Sequence, residues 1–145
     1  MLSESPKDPL QAYSISSGLG AIGYPMAAAI RHGLSETSIL HIFDVHKASC
    51  ERFRAEHGGK GPIEIEDSPR QVAHSADVVI SMVPGVPQVE SVYLDTEYGI
   101  IAAAKNDQRV LLECSTIDTE TARKVAARIR EAGQGVYADA PVSVR

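Results

Sequence analysis

This sequence predicts a doubly wound α/β fold, a mostly parallel six-stranded sheet with helices on both faces. Three observations carry that expectation. Short β-type runs alternate with helix-period segments along the whole chain, which calls for right-handed crossovers and parallel neighbours. The runs are mostly continuous apolar stretches such as "VVI", as strands covered on both faces require. Between the first run and the first helix stands "SGLGAIGYPMAAAI", with three glycines at spacings of two and three.

The elements follow in order. Residues 1–11 read as a disordered lead-in, too acidic and polar for a secretory signal or an arginine-rich transit segment. The β-type runs are 12–17, 39–43, 63–65, 78–82, 110–114 and 136–138. The first of them, "AYSISS", ends in Ser16 and Ser17, poor residues for a central strand, so it is expected to be the least stable. Ser68-Pro69 has the form of a helix N-cap followed by proline in the first turn. Gly33, Gly58 and Gly133 stand where C-terminal caps belong. The clearest helix is 119–132, where Ala122, Val125, Ala126 and Ile129 form one apolar stripe. Arg123, Lys124, Arg128 and Arg130 fall mainly off that stripe and read as a solvated face.

The 145 residues suit one domain, 12–145, with enough chain for one core. A net charge of −5 supplies no basic field for nucleic acid or an anionic membrane. The longest apolar stretch, 78–83, is far too short to span a bilayer. Cys50 and Cys114 are distant in sequence and read as reduced core thiols, which points to a cytoplasmic location. The five histidines form no ligand-spaced cluster with them, so no metal is expected.

The glycine stretch follows a strand and opens a helix within one βαβ unit, the context that turns a weak pattern into a dinucleotide site. Gly18 permits the tight turn, Gly20 lets backbone approach a diphosphate, and Gly23 lets the helix pack on the strand. Free N–H groups and the helix dipole favour an anion there. Asp44 ends the second run, about 20 residues further on, where a carboxylate accepts from the ribose hydroxyls and repels a 2′-phosphate. The expected cofactor is therefore NAD, with NADP disfavoured, although His46, Lys47 and Arg52 lie close enough to soften the preference.

Two further stretches sit at strand ends, where open α/β sheets place ligands. In "MVPGVPQVE", Pro84 and Pro87 stiffen a turn suited to the nicotinamide-side ribose, and Gln88 brings an amide to it. The same stretch also suits an ordinary proline-rich loop. In "ECSTID", Ser115 and Thr116 could donate to a cofactor or a substrate carboxylate, or cap the following helix. Asp118 reads as a plain N-cap.

Together "GLGAIGYPMA", "SMVP" and "ECSTIDTETARKVA…YADAPVS" resemble the 3-hydroxyisobutyrate dehydrogenase family, the β-hydroxyacid dehydrogenases related to 6-phosphogluconate dehydrogenase. The resemblance covers the chain after residue 11, but only the amino-terminal half of a typical member. It implies a Rossmann-type domain that binds NAD(P), and hydride transfer between nicotinamide and a hydroxyl β to a carboxylate. It implies cofactor contacts at Gly18, Leu19, Gly20, Ala21, Ile22, Gly23, Asp44, Val83, Pro84, Gln88 and Thr116, and substrate contacts at Ser115 and Ser143. The family's general acid/base lysine and its helical second domain have no counterpart in these residues. Val144 and Arg145 stand where the family places two glycines, which crowds the substrate loop. The chain is thus expected to bind cofactor as the first domain of an oxidoreductase, or to be a truncated, non-catalytic nucleotide-binding or regulatory module. The surface that the second domain would cover is expected to promote self-association.

Overall fold

The computed structural model describes residues 12–16, for their main chain, and residues 19–142. The expectations for residues 1–11, Ser17, Gly18, Ser143, Val144 and Arg145, and for the Ser16 side chain, lie outside the described residues.

The strands are β1 (Ala12–Ser16), β2 (Ile39–Phe43), β3 (Ile63–Ile65), β4 (Val78–Ser81), β5 (Val110–Glu113) and β6 (Val136–Asp139). The helices are α1 (Gly23–Gly33), α2 (Lys47–His57), α3 (Pro69–Ser75), α4 (Val86–Leu94) and α5 (Thr119–Glu131), with single 3₁₀ turns at Gly58–Lys60 and Ile100–Ala102. β3 and β2 lie on one side of β1, and β4, β5 and β6 on the other, in the order β3-β2-β1-β4-β5-β6. Every pairing is parallel. The fold is α/β and Rossmann-like, as the alternation of runs predicts.

Side chains alternate across the sheet with the period of two that strands impose. Leu40, Ile42 and Ile80 face α1 and α2, where they pack with Ala27, Cys50 and Phe53. Val79 and Leu111 face the other way, against Val72 of α3, Val89, Val92 and Tyr93 of α4, and Val125 and Ile129 of α5. Phe53 is fully buried and meets Tyr24 edge to face at 5.1 Å, a burial that stabilises by about 2 kcal/mol. Cys50 and Cys114 are both free and buried, and burial raises both thiols above their usual range.

Local signals hold to within a residue or two. Ser68 Oγ accepts the Gln71 N–H at 3.2 Å, with Pro69 in the first turn. Asp118 caps α5 by accepting the Thr121 N–H at 2.8 Å, and these backbone and hydroxyl donors hold its carboxyl below the usual range. Gly133 adopts φ +69° after α5, and the N–H groups of Gly133 and Gln134 return to Arg130 and Ile129, a Schellman closure. Gly58 instead stays right-handed and continues into the 3₁₀ turn, and Gly33 is the last residue of α1. β4 ends at Ser81 rather than Met82 and β5 at Glu113 rather than Cys114, although Cys114 still bonds Ser81 O through its N–H. Arg123, Lys124, Arg128 and Arg130 are exposed, and Ala126 is half-buried beside the stripe.

Two arginines are buried outright. Arg31 donates to the carbonyls of Ser35, Ser38 and Pro62 at 2.6, 2.6 and 3.0 Å. Arg109 donates to Gln134 O and Oε1 and to Ala104 O, at 3.1, 2.8 and 3.2 Å. Burial lowers both guanidinium pKa values from their usual level, and the carbonyl dipoles offset part of the desolvation cost. Neither sits at a strand's carboxyl end; each pins a crossover.

Candidate functional site

Because β1 pairs with β2 on one side and β4 on the other, the connections leaving β1 and β4 part at the carboxyl edge, and a crevice opens there. A cavity of about 860 Å³ occupies it, within the size range of small-molecule sites. One wall is Gly20, Ala21, Ile22 and Gly23, ahead of and at the start of α1. A second is Phe43, Asp44, Val45 and His46 after β2, and a third is Met82, Val83, Pro84 and Gln88 after β4. Asp67, Ser68 and Pro69, with Ser91, Val92, Asp95 and Tyr98, close the far side.

Within the glycine wall, Gly23 is buried in α1 and Gly20 is exposed at the cavity. A Cβ added at Gly20 would meet no atom within 4 Å, and Gly20 has no positive φ. Neither a neighbouring side chain nor backbone conformation therefore requires glycine there. The N-cap of α1 is Ile22, which offers no side-chain acceptor to the helix start; Pro25 in the first turn has no N–H to give, so an anion there would be met by the main chain ahead of it. The first helical bonds begin with Tyr24 N–H to Gly20 O at 2.9 Å.

Asp44 holds this wall in place. Its Oδ2 accepts the Leu19 N–H at 3.0 Å and its Oδ1 accepts the His46 N–H at 2.8 Å. Each oxygen keeps a further lone pair for an incoming hydroxyl. Leu19 is itself buried in the core beneath, so its contribution is the N–H it gives to Asp44. Around the mouth, Ile22, Val45 and Tyr98 expose apolar surface, Val45 at 78%, which suits a flat, partly apolar ligand. Asp95 accepts the N–H groups of Glu97 and Tyr98 at 2.9 and 2.8 Å, which lowers its pKa from the usual value.

The two hydroxyl residues after β5 are placed differently. Ser115 is fully buried and outside the cavity lining. Its Oγ accepts the Val83 N–H at 2.7 Å and its N–H goes to Glu113 Oε1 at 2.7 Å. Both polar groups of Ser115 are engaged inside the fold. Thr116 is exposed but lies outside the cavity lining, and helix capping falls to Asp118.

The residues that sequence reasoning passed over lie beneath the β4–β5 exit. Ser81 Oγ donates to Glu113 Oε2, and the Tyr93 hydroxyl sits 2.6 Å from Ser81 Oγ. Burial raises the Glu113 carboxyl above its ordinary value and raises Tyr93 well above its own. The signal was present: a glutamate closing the apolar run "VLLE" faces inward at the same phase as Leu111. Asp67, Asp95 and Tyr98 gave none, because only tertiary packing brings their loops to the crevice. Among the described residues no group of three or more His, Cys, Asp or Glu side chains is placed to hold a metal ion.

Fold and crevice define an α/β Rossmann-like domain with a cavity at the topological switch. The family model described as the NAD binding domain of 6-phosphogluconate dehydrogenase matches residues 16–144, and the chain belongs to that family. It is 38% identical over 126 residues to the NAD-dependent L-serine dehydrogenase of Pseudomonas aeruginosa, covering 87% of this chain and 39% of that protein. It is 39% identical over 126 residues to the 3-hydroxyisobutyrate dehydrogenase of the same organism, with the same coverage. Among solved structures, the Mycobacterium tuberculosis 3-hydroxyisobutyrate dehydrogenase with L-serine superposes with a TM-score of 0.72 at 28% identity, covering 92% of this chain and 41% of that one. The chain thus spans about two fifths of the length of these relatives.

Proposed function

We propose that the cavity holds a nicotinamide dinucleotide, NAD in preference to NADP, and that the chain serves as the cofactor domain of an oxidoreductase acting on a small 3-hydroxy acid. The observation that carries this reading is the open space over Gly20 beside an uncapped helix start, within reach of Asp44. Main-chain N–H groups at Ala21, Ile22 and Gly23 would receive the diphosphate without a side chain intervening. The spare lone pairs of Asp44 would accept from ribose hydroxyls, and its charge would repel a 2′-phosphate. Val83, Pro84 and Gln88 line the opposite wall, where the nicotinamide-side ribose would lie.

The bound dinucleotide would supply the hydride acceptor. The residues described here bind and orient it, and the family's general acid/base lysine has no counterpart among them. Roles for Gly18 and Ser143 rest on the resemblance, as does a contact from Thr116. The substrate class is supported by the relatives' names: L-serine and 3-hydroxyisobutyrate both carry a hydroxyl β to a carboxylate. No helix among the described residues is long and apolar enough to cross a membrane, and the free buried cysteines favour a reducing, cytoplasmic setting. Self-association through the β6 edge, where Val136 and Val142 are exposed, belongs to the same proposal and is read by sedimentation.

Calorimetric titration with NADH and NADPH tests the reading. Saturable heat with NADH, tighter than with NADPH, is expected; no saturable heat with either overturns it. Hydride transfer to a 3-hydroxy acid's oxidised partner by the purified chain would exclude a purely non-catalytic module.

A further inference from the structure

The polar network buried between β4 and β5 contributes no atom to the cavity lining, yet it ends on the cavity wall. Glu113 and Ser115 are both fully buried. Glu113 Oε1 accepts the Ser115 N–H at 2.7 Å, and Ser115 Oγ accepts the Val83 N–H at 2.7 Å. Val83 and Pro84 are cavity wall. Past the strands, Cys114 N–H still bonds Ser81 O at 2.8 Å; one rung further, the Ser115 hydroxyl replaces a carbonyl as the acceptor. Pro84 has no N–H to give, and Gly85, the N-cap of α4, makes no side-chain bond. The Val83 N–H thus ties this loop to β5 by a hydrogen bond, beside the packing of the buried Val83 side chain in the core.

A carboxyl group buried beneath an apolar sheet is costly, and its raised pKa records that cost. Such groups persist where they fix a geometry. We infer that Glu113 and Ser115 are positioning residues: Glu113 holds Ser115, and Ser115 holds the main chain at Val83, so the wall keeps its shape through groups that never touch a ligand. The consequence for NADH affinity rests on the dinucleotide reading above. The consequence for Val83 does not.

The experiment pairs amide hydrogen exchange at Val83 with NADH titration in the whole chain carrying Ser115→Ala, Glu113→Gln or Tyr93→Phe. Ser115→Ala should speed Val83 exchange and weaken NADH binding, each by about tenfold. Glu113→Ala, added to these, removes the acceptor of the Ser115 N–H and should speed Val83 exchange as Ser115→Ala does. Glu113→Gln keeps a carbonyl acceptor and should stay within about twofold of wild type. Equal behaviour of the two Glu113 variants overturns the part of Glu113 in the inference. Tyr93→Phe cuts the other branch of the network; it should lower the melting temperature yet leave Val83 protected. If Ser115→Ala does not fold, Ser115→Cys, similar in size and a poorer acceptor, reads the same contrast. Unchanged Val83 exchange on losing the Ser115 hydroxyl overturns the inference, and so does equal acceleration in Tyr93→Phe. A wild-type chain that binds no NADH refutes the dinucleotide reading instead, and Val83 exchange then decides the positioning role alone.

Discussion

Replacing Gly20 by alanine separates binding from stability. The added Cβ finds open space within 4 Å and no positive φ to strain. Glycine's excess freedom in the unfolded chain is removed, so stability should rise by about 0.4–1 kcal/mol. For 145 residues that is a gain of about 1–3 °C in melting temperature. The same methyl group stands where a diphosphate would approach main-chain N–H groups. Lengthening or losing one charge-assisted hydrogen bond costs about 1.5–3 kcal/mol, or roughly ten- to a hundredfold in affinity. Differential scanning calorimetry and NADH titration on one preparation read both quantities. Unchanged NADH affinity would remove the glycine wall from the site, and a melting temperature lowered by more than about 5 °C would refute the packing argument.

Asp44→Ala should weaken NADH binding about tenfold and shift the NADPH-to-NADH affinity ratio toward NADPH; an unchanged ratio takes Asp44 out of the ribose site. Glu113 has its pKa raised above 4.5 in the folded chain, so the stability tied to its proton is complete below that value and is lost as pH rises through the folded pKa. Glu113→Gln should therefore gain on wild type in urea denaturation as pH climbs above 4.5, and a gap that narrows instead contradicts the burial argument. Gly135 has φ +127°, and a Cβ there would lie 2.2 Å from the Arg109 carbonyl oxygen. Gly135→Ala should cost more than about 2 kcal/mol; a loss below about 1 kcal/mol would mean that β6 shifts freely.

Periodicity and punctuation made most of the fold legible. The bounds of β2 and β3, the Ser68 cap and the apolar stripe of α5 follow from apolar runs and capping residues, which act over a few neighbours. The buried guanidinium groups of Arg31 and Arg109 were invisible, because their acceptors are carbonyls from up to 31 residues away, and carbonyls carry no sequence signature. The candidate site divides the same way. Its glycine wall and Asp44 stand at fixed offsets from strand ends. The internal bond of Ser115 was not legible, because a serine after a strand looks alike whether its hydroxyl faces solvent or, as here, ties one loop to the next.

The central position of β1 carries a consequence for synthesis. It is made first, but one of its two neighbours, β4, begins at Val78. Until that point leaves the ribosome, the nascent unit of three strands and three helices presents a raw, adhesive flank. Premature termination or slowed translation before β4 should therefore yield aggregates, or clients for chaperones, rather than a shorter functional half.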